Sequence, residues 1–146
     1  MFRSPVTEYL GRCHCGAIGY AYNCDMSPSG WAIRACQCRF CRSHDALSAS
    51  DPAAAITFTA MEVEQLQCYR FGLNTADFLI CRRCGVYIGA MIETAKGRFG
   101  IINTHALIDP PPEISAPRPV HYDGEKTDDR VLRREQCWSP VVDIPK

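Results

Sequence analysis

The chain has 146 residues, 47% of them apolar and 22% charged, which is enough to bury a core and is the balance of a globular rather than a disordered protein. Sixteen basic side chains face sixteen acidic ones, so the formal net charge is zero. That excludes a dedicated nucleic-acid binder working through a broadly basic surface, because phosphate contacts need one.

In chain order, the N-terminal "MFRSPVTEYLGRCHCG" has no apolar core of about 7–15 residues, so no secretory signal is expected. No later run approaches the roughly 20 apolar residues of a membrane span. The expectation is a cytoplasmic chain with no membrane partner. Short runs of alternating or β-branched character then follow: "AIGYAY" (17–22), "WAIRAC" (31–36), "AITFTA" (55–60), "VEQLQCYRF" (63–71), "ADFLIC" (76–81), "VYIGAMI" (86–92) and "RFGIINT" (98–104). Ile18, Tyr20 and Tyr22 fall on one face of a strand, since side chains alternate with period two. Gly, Pro, Asn and Asp separate the runs, as in a meander of short strands. Five prolines between Pro110 and Pro119 predict an extended surface connection. Helical periodicity is scarce, and "TDDRVLRREQ" (127–136) is its best instance, with a cap expected at Thr127 and acids in the first turn. The fold class is mainly antiparallel β with little helix. One domain is expected over 1–146: a core at about 9–109, the Pro-rich crossing at 110–119 and a C-terminal segment at 120–146.

Ten cysteines in a reducing compartment point to metal or catalysis rather than disulfides. Cys13 and Cys15 form a C-x-C, Cys36, Cys38 and Cys41 a C-x-C-x-x-C, and Cys81 and Cys84 a C-x-x-C. A C-x-x-C turn aims two sulfurs at one point, and the glycines that follow, Gly16 and Gly85, suit such turns. A C-x-C on an extended segment presents both thiols on one face. Pairing Cys13 and Cys15 with Cys81 and Cys84 gives a closed four-thiolate site of the structural zinc type. Cys36, Cys38 and Cys41 are left as three thiolates, the number that catalytic zinc sites draw from protein while keeping one position open. Spacing alone leaves a swapped pairing open, as it leaves a second structural zinc completed by Cys24, Cys68 or a histidine. Buried or redox thiols remain the bland alternative. Iron takes four thiolates too, but C-x-C spacing favours zinc. For the lone Cys24, Cys68 and Cys137, core packing is the expectation.

Arg39 and Arg42 bracket Cys41, and Arg82 and Arg83 lie between Cys81 and Cys84. These cations would offset the excess negative charge of zinc–thiolate groups. Arg39 and Arg42 could instead grip a substrate carboxylate, which guanidinium matches bidentately. His14 and His44 sit near cysteines as possible supporting or substitute ligands, whereas His105 and His121 are expected to be structural.

"GRCHCGAIGY", "CQCRFCR" and "CRRCG" together resemble the glutathione-dependent formaldehyde-activating enzyme family, which also takes in centromere-protein-V-like domains. Its pattern, G-x-C-x-C-G-A, C-x-C-x-x-C-R, C-x-x-C-G, is met by seven cysteines in order over residues 11–85. The resemblance implies a β-tent-like fold of twisted antiparallel sheets with two zincs. It implies a structural zinc on Cys13, Cys15, Cys81 and Cys84 and a catalytic zinc on Cys36, Cys38 and Cys41. It further implies carbon–sulfur lyase chemistry, joining glutathione and formaldehyde into S-(hydroxymethyl)glutathione. The partners expected on this basis are a small thiol such as glutathione and a small aldehyde. The stretch "SHDALSASDPAAAITF" and the late histidine segment "PVHYDGEKTDDR" depart from the family, so the zinc ligands transfer better than the substrate does.

Three thiolates make zinc electron-rich and a weak Lewis acid, which favours presenting a sulfur nucleophile over activating water. No Ser/His/Asp arrangement, phosphate-binding loop or dinucleotide fingerprint competes. The alternative is a non-catalytic zinc module that binds a protein or carries a thiol ligand.

Overall fold

In the computed structural model, which describes residues 3–146, the alternation in "IGYAYNC" forms a strand whose inward face is closed to solvent. Ile18, Tyr20, Tyr22 and Cys24 are each 1% exposed on β2 (Ile18–Met26). This strand pairs antiparallel with β1 (Arg3–Arg12) on one side and with β5 (Ala55–Ala60) on the other. Tyr20 leans over Gly11, whose missing side chain leaves room for the ring, and donates its hydroxyl hydrogen to the Asn103 carbonyl at 2.8 Å. Tyr9 and Tyr22 meet Trp31 edge-on, with centroids 4.9 and 5.4 Å apart. The first two residues, Met1 and Phe2, lie outside the described residues.

The hub is β9 (Gly97–Asn103). One of its edges pairs along its length with β8 (Tyr87–Thr94), which continues into β7 (Asp77–Cys81) and β6 (Leu66–Tyr69). Its other edge is shared. The first half pairs with β11 (Ser139–Asp143) at Phe99 and Gly100, and the second half with β4 (Ser48–Ala49) at Ile102 and Asn103. From β11 the sheet runs on through β5 to β2 and β1. From β4 it runs to β3 (Arg34–Cys36) and β10 (Arg118–Val120). Three wings therefore leave one strand, and the molecule is mainly β, a twisted mixed sheet. Two short helices, α1 (Arg39–Ser43) and α2 (Thr127–Cys137), complete it.

Asn103 fastens the branch point. Buried at the end of β9, its amide donates to the Tyr87 carbonyl at 2.8 Å, and its Oδ1 accepts from Leu47 N at 3.2 Å and His105 N at 3.3 Å. Two apolar clusters flank the hub. The larger holds Tyr20, Tyr22, Ile56, Ile88 and Ile102 with Cys13 and Cys81. The smaller holds Phe78, Tyr87, Ile101 and Trp138 with Cys41.

Several elements depart from the sequence expectation. β1 has no clean alternation, because it is a sheet edge with Val6 68% exposed and with Pro5, which lacks an N–H, inside a register shift between Arg3 and Thr7. "WAIRAC" is strand only over its last three residues, and 63–65 is a 3-10 turn. The Pro-rich crossing ends in β10, where Pro119 sits on the outermost strand of its wing. β11 enters the sheet between β5 and β9 despite Pro140. The β10–β3 and β11–β5 pairs are parallel, as chain arriving from a long crossing can be. Helix α2 is where it was expected, but its cap is Lys126 rather than Thr127, with no side-chain bond there. Of the lone cysteines only Cys24 is in the core. Cys68, on the outer strand β6, and Cys137, the last residue of α2, are exposed.

Candidate metal centres and an arginine-walled cavity

Chain reversal builds the first cysteine group. Cys13 and Cys15 lie in the turn from β1 to β2, and Cys81 and Cys84 in the turn from β7 to β8. Both turns close through glycine in the left-handed region, Gly16 at φ +84° and Gly85 at φ +80°. The sulfurs of all four lie within 4.8 Å of one another. Cys13 and Cys15 Sγ are 3.8 Å apart, and Cys15 and Cys81 Sγ 3.6 Å apart. A tetrahedral ion with bonds of about 2.3 Å sets its sulfurs roughly 3.8 Å apart, so the group fits zinc without rearrangement. Backbone amides already point at the sulfurs: Ile18 N lies 3.4 Å from Cys13 Sγ, and Cys84 N 3.5 Å from Cys81 Sγ. Burial pushes the Cys81 thiol up to about 11. Burial works against Cys84 too, yet the Cys15 and Val86 amides and the neighbouring thiols hold it down to about 6. Arg83 reaches Cys15 Sγ at 4.0 Å but is committed to Glu62, with both of its Nη atoms 2.6 Å from the carboxylate oxygens.

The second group is local. Cys36 ends β3, Cys38 caps α1, and Cys41 lies one turn into that helix. Its three sulfurs also lie within 4.8 Å of one another. Cys38 Sγ accepts from Cys41 N at 3.4 Å. The neighbouring thiols of Cys36 and Cys41 hold Cys38 down to about 2, while Cys36 and Cys41, donating to it, are pushed up. A five-residue helix is too short to hold itself. Phe40 rivets it, with its ring 4.8 Å from Phe78, 4.9 Å from Phe71, 5.1 Å from Tyr87 and 4.5 Å from His44. Among the described residues no fourth cysteine, histidine or carboxylate joins this group.

A third set, Cys24 with Asp25 and Asp51, is comparably close, but its donors serve the fold. Cys24 Sγ accepts from Met26 N at 3.4 Å, and Asp51 Oδ1 from Ala53 N at 2.9 Å.

The two metal-binding candidates differ in what they face. Cys36, Cys38 and Cys41 line a cavity of about 480 Å³; the four-cysteine group does not. Phe71, Phe78, Ile101 and Trp138 form its apolar wall. Arg34, Arg42, Arg130, Arg133 and Arg134 supply positive charge, and His121, Tyr122 and Asp123 also line it. Of the two arginines singled out in the sequence, Arg42 lines the cavity and donates Nε–H to the Gln37 carbonyl at 3.1 Å. Arg39 is exposed and lies off it. His121 is exposed at the cavity rather than packed in the fold, whereas His105 pairs with Asp45 at 3.8 Å. His14 is exposed. His44 stacks between Phe40 and Tyr87, the latter centroid 5.7 Å away. Arg34, Arg130, Arg133 and Arg134 were missed. Three of them stand at i, i+3 and i+4 of a helix, and this one-face spacing was the available signal.

Among the described residues no helix is long and apolar enough to cross a membrane. Among solved structures the chain is similar to a Rhodobacter sphaeroides protein determined as a structural genomics target. The TM-score is 0.57 at 26% identity, over 76% of this chain and 99% of that one. Residues 8–122, which carry both cysteine groups and stop short of α2, match the model described as glutathione-dependent formaldehyde-activating enzyme. The match spans most of the chain, including all seven cysteines that the fold gathers into two sets able to hold metal: this chain belongs to the glutathione-dependent formaldehyde-activating enzyme family.

Proposed function

We propose that this protein is a zinc-dependent carbon–sulfur lyase acting on a thiol–aldehyde adduct, in the manner of S-(hydroxymethyl)glutathione formation from glutathione and formaldehyde. One observation carries the reading: the cysteine set with only three sulfurs is the one that lines the cavity. On this reading the four-cysteine set holds a structural zinc, the three-cysteine set a catalytic one, and the compartment is the cytoplasm. Zinc on Cys36, Cys38 and Cys41 would supply the charge that lowers a substrate thiol from its usual value of about 8.5.

The chain's own residues do the rest. Phe40 and its aromatic neighbours fix α1, and so the direction in which Cys38 and Cys41 present their sulfurs. Phe71, Phe78, Ile101 and Trp138 set an apolar wall beside the sulfurs. As the sulfur attacks the aldehyde carbon, a carbon–sulfur bond forms and the carbonyl pair moves onto oxygen. The proton given up by the thiol ends on that oxygen, so no oxidant or reductant is needed. His121 and Asp123 line the cavity and are available to carry that proton. Arg42 stands at the same wall to meet a substrate carboxylate.

The test is zinc per chain by elemental analysis on wild type and Cys38→Ser, with thermal melts. NMR exchange of formaldehyde onto glutathione is measured alongside. Two zincs falling to one, with the fold kept and exchange lost, is the expected result. A wild type that binds one zinc, or a Cys38→Ser protein that unfolds, makes the triplet scaffold and ends the enzymatic reading.

A further inference from the structure

The cavity holds more positive charge than the chain neutralises. Arg130 and Arg133 share one carboxylate, Glu125, with contacts of 2.9–3.0 Å. Arg34 and Arg134, by contrast, form no ion pair among the described residues. Arg134 is only 8% exposed; its Nη1 donates to Thr75 Oγ1 at 2.7 Å, and its guanidinium lies 4.8 Å from the Trp138 ring centre. Arg34 donates Nη2–H to Ser50 Oγ at 2.6 Å. The Nε of each is buried without a partner. Burial lowers both guanidinium groups, Arg134 to about 10. Withdrawing two guanidinium groups from water with no carboxylate at ion-pair distance is expensive, and it is kept where something else supplies the counter-charge. Asp123, Glu125 and a divalent ion on three thiolates would still leave the cavity cationic against five arginines.

We propose that Arg34 and Arg134 form the recognition site for a carboxylate carried on an apolar carbon chain. The thiol or aldehyde substrate is then a carboxylate-bearing one, with its anion at these cavity-lining arginines and its reacting end at Cys36, Cys38 and Cys41. This deepens the lyase reading and rests on it for the reacting end. Guanidinium matches a planar carboxylate, while Phe78, Ile101 and Trp138 suit the apolar part between. Arg134 lies on α2, beyond the matched residues 8–122, so specificity is drawn from chain outside that segment.

Trp138 sits in the cavity wall against Arg134, so its fluorescence reports occupancy. Hexanoate, hexanamide and inorganic phosphate are titrated into the zinc-loaded wild type, with calorimetry in parallel. Hexanoate should bind at least tenfold tighter than hexanamide and quench Trp138, with phosphate weaker than hexanoate. Arg34→Met and Arg134→Met should erase the preference over the amide, and Arg34→Lys should keep part of it. Should Arg134→Met fail to fold, the wild-type comparison and Arg34→Met still decide. Equal binding of acid and amide, phosphate as tight as hexanoate, or a preference that survives Arg34→Met overturns the proposal. Because binding is read rather than turnover, a carboxylate preference without formaldehyde exchange breaks only the lyase reading.

Discussion

The two cysteine groups of the family pattern occupy opposite roles in the fold. One joins Cys13 and Cys15 to Cys81 and Cys84, partners up to about 70 residues apart, with Cys13 and Cys81 in the larger core. The other is drawn from six consecutive positions and faces the cavity from a one-turn helix. A cation in the first closes a long loop and locks two turns together. A cation in the second closes almost nothing. Metal at distant ligands becomes folding energy, whereas metal at local ligands contributes little to it.

The sharpest way to break this contrast is Cys81→Ser. It should remove metal from the four-cysteine group and abolish cooperative folding at 37 °C, read by circular dichroism melts with and without chelator. Structural zinc contributes on the order of 10 kcal/mol of apparent folding energy in small domains. If that variant melts like wild type, the groups do not differ in the way proposed. Cys38→Ser should lose formaldehyde exchange to background while shifting Tm by only a few degrees. Phe40→Ala tests whether packing, rather than metal, holds the local group. It should cost about 2–3 kcal/mol in urea unfolding, and weaken zinc at the triplet while leaving the other zinc in place. His121→Ala should lower turnover by about 10²-fold with an unchanged melt, because the side chain is exposed at the cavity. Smallest is Arg83→Ala. Both members of its pair with Glu62 are well exposed, and no shift in Tm beyond error is expected.

The strand runs that alternate cleanly were legible because burying one face forces a period of two. Ile18, Tyr20 and Tyr22 are the plainest case. β1, β10 and β11 were not legible, since edge position, prolines and short pairing leave no alternation to read. Cys68 was expected in the core because a lone cysteine at a strand position usually packs there, but β6 is paired only with β7, and its outer face stays in solvent. For the site, the sulfurs were legible and the arginines were not. Cysteine spacing is set by the coordination geometry of one ion, whereas Arg34 and Arg134 line one cavity only because β3 and α2 border the same space.

What the sequence by itself determined is therefore the cysteine pattern, the mainly β character and the turns that end in Cys15-Gly16 and Cys84-Gly85, all fixed by short-range geometry. Only the tertiary structure decided which group faces a cavity and that α2 supplies part of its cationic wall. It also decided that His121, though exposed, lines that cavity. Those outcomes depend on β9 branching into three wings, and hydrogen-bond partners chosen across some 90 residues leave no local periodicity to read.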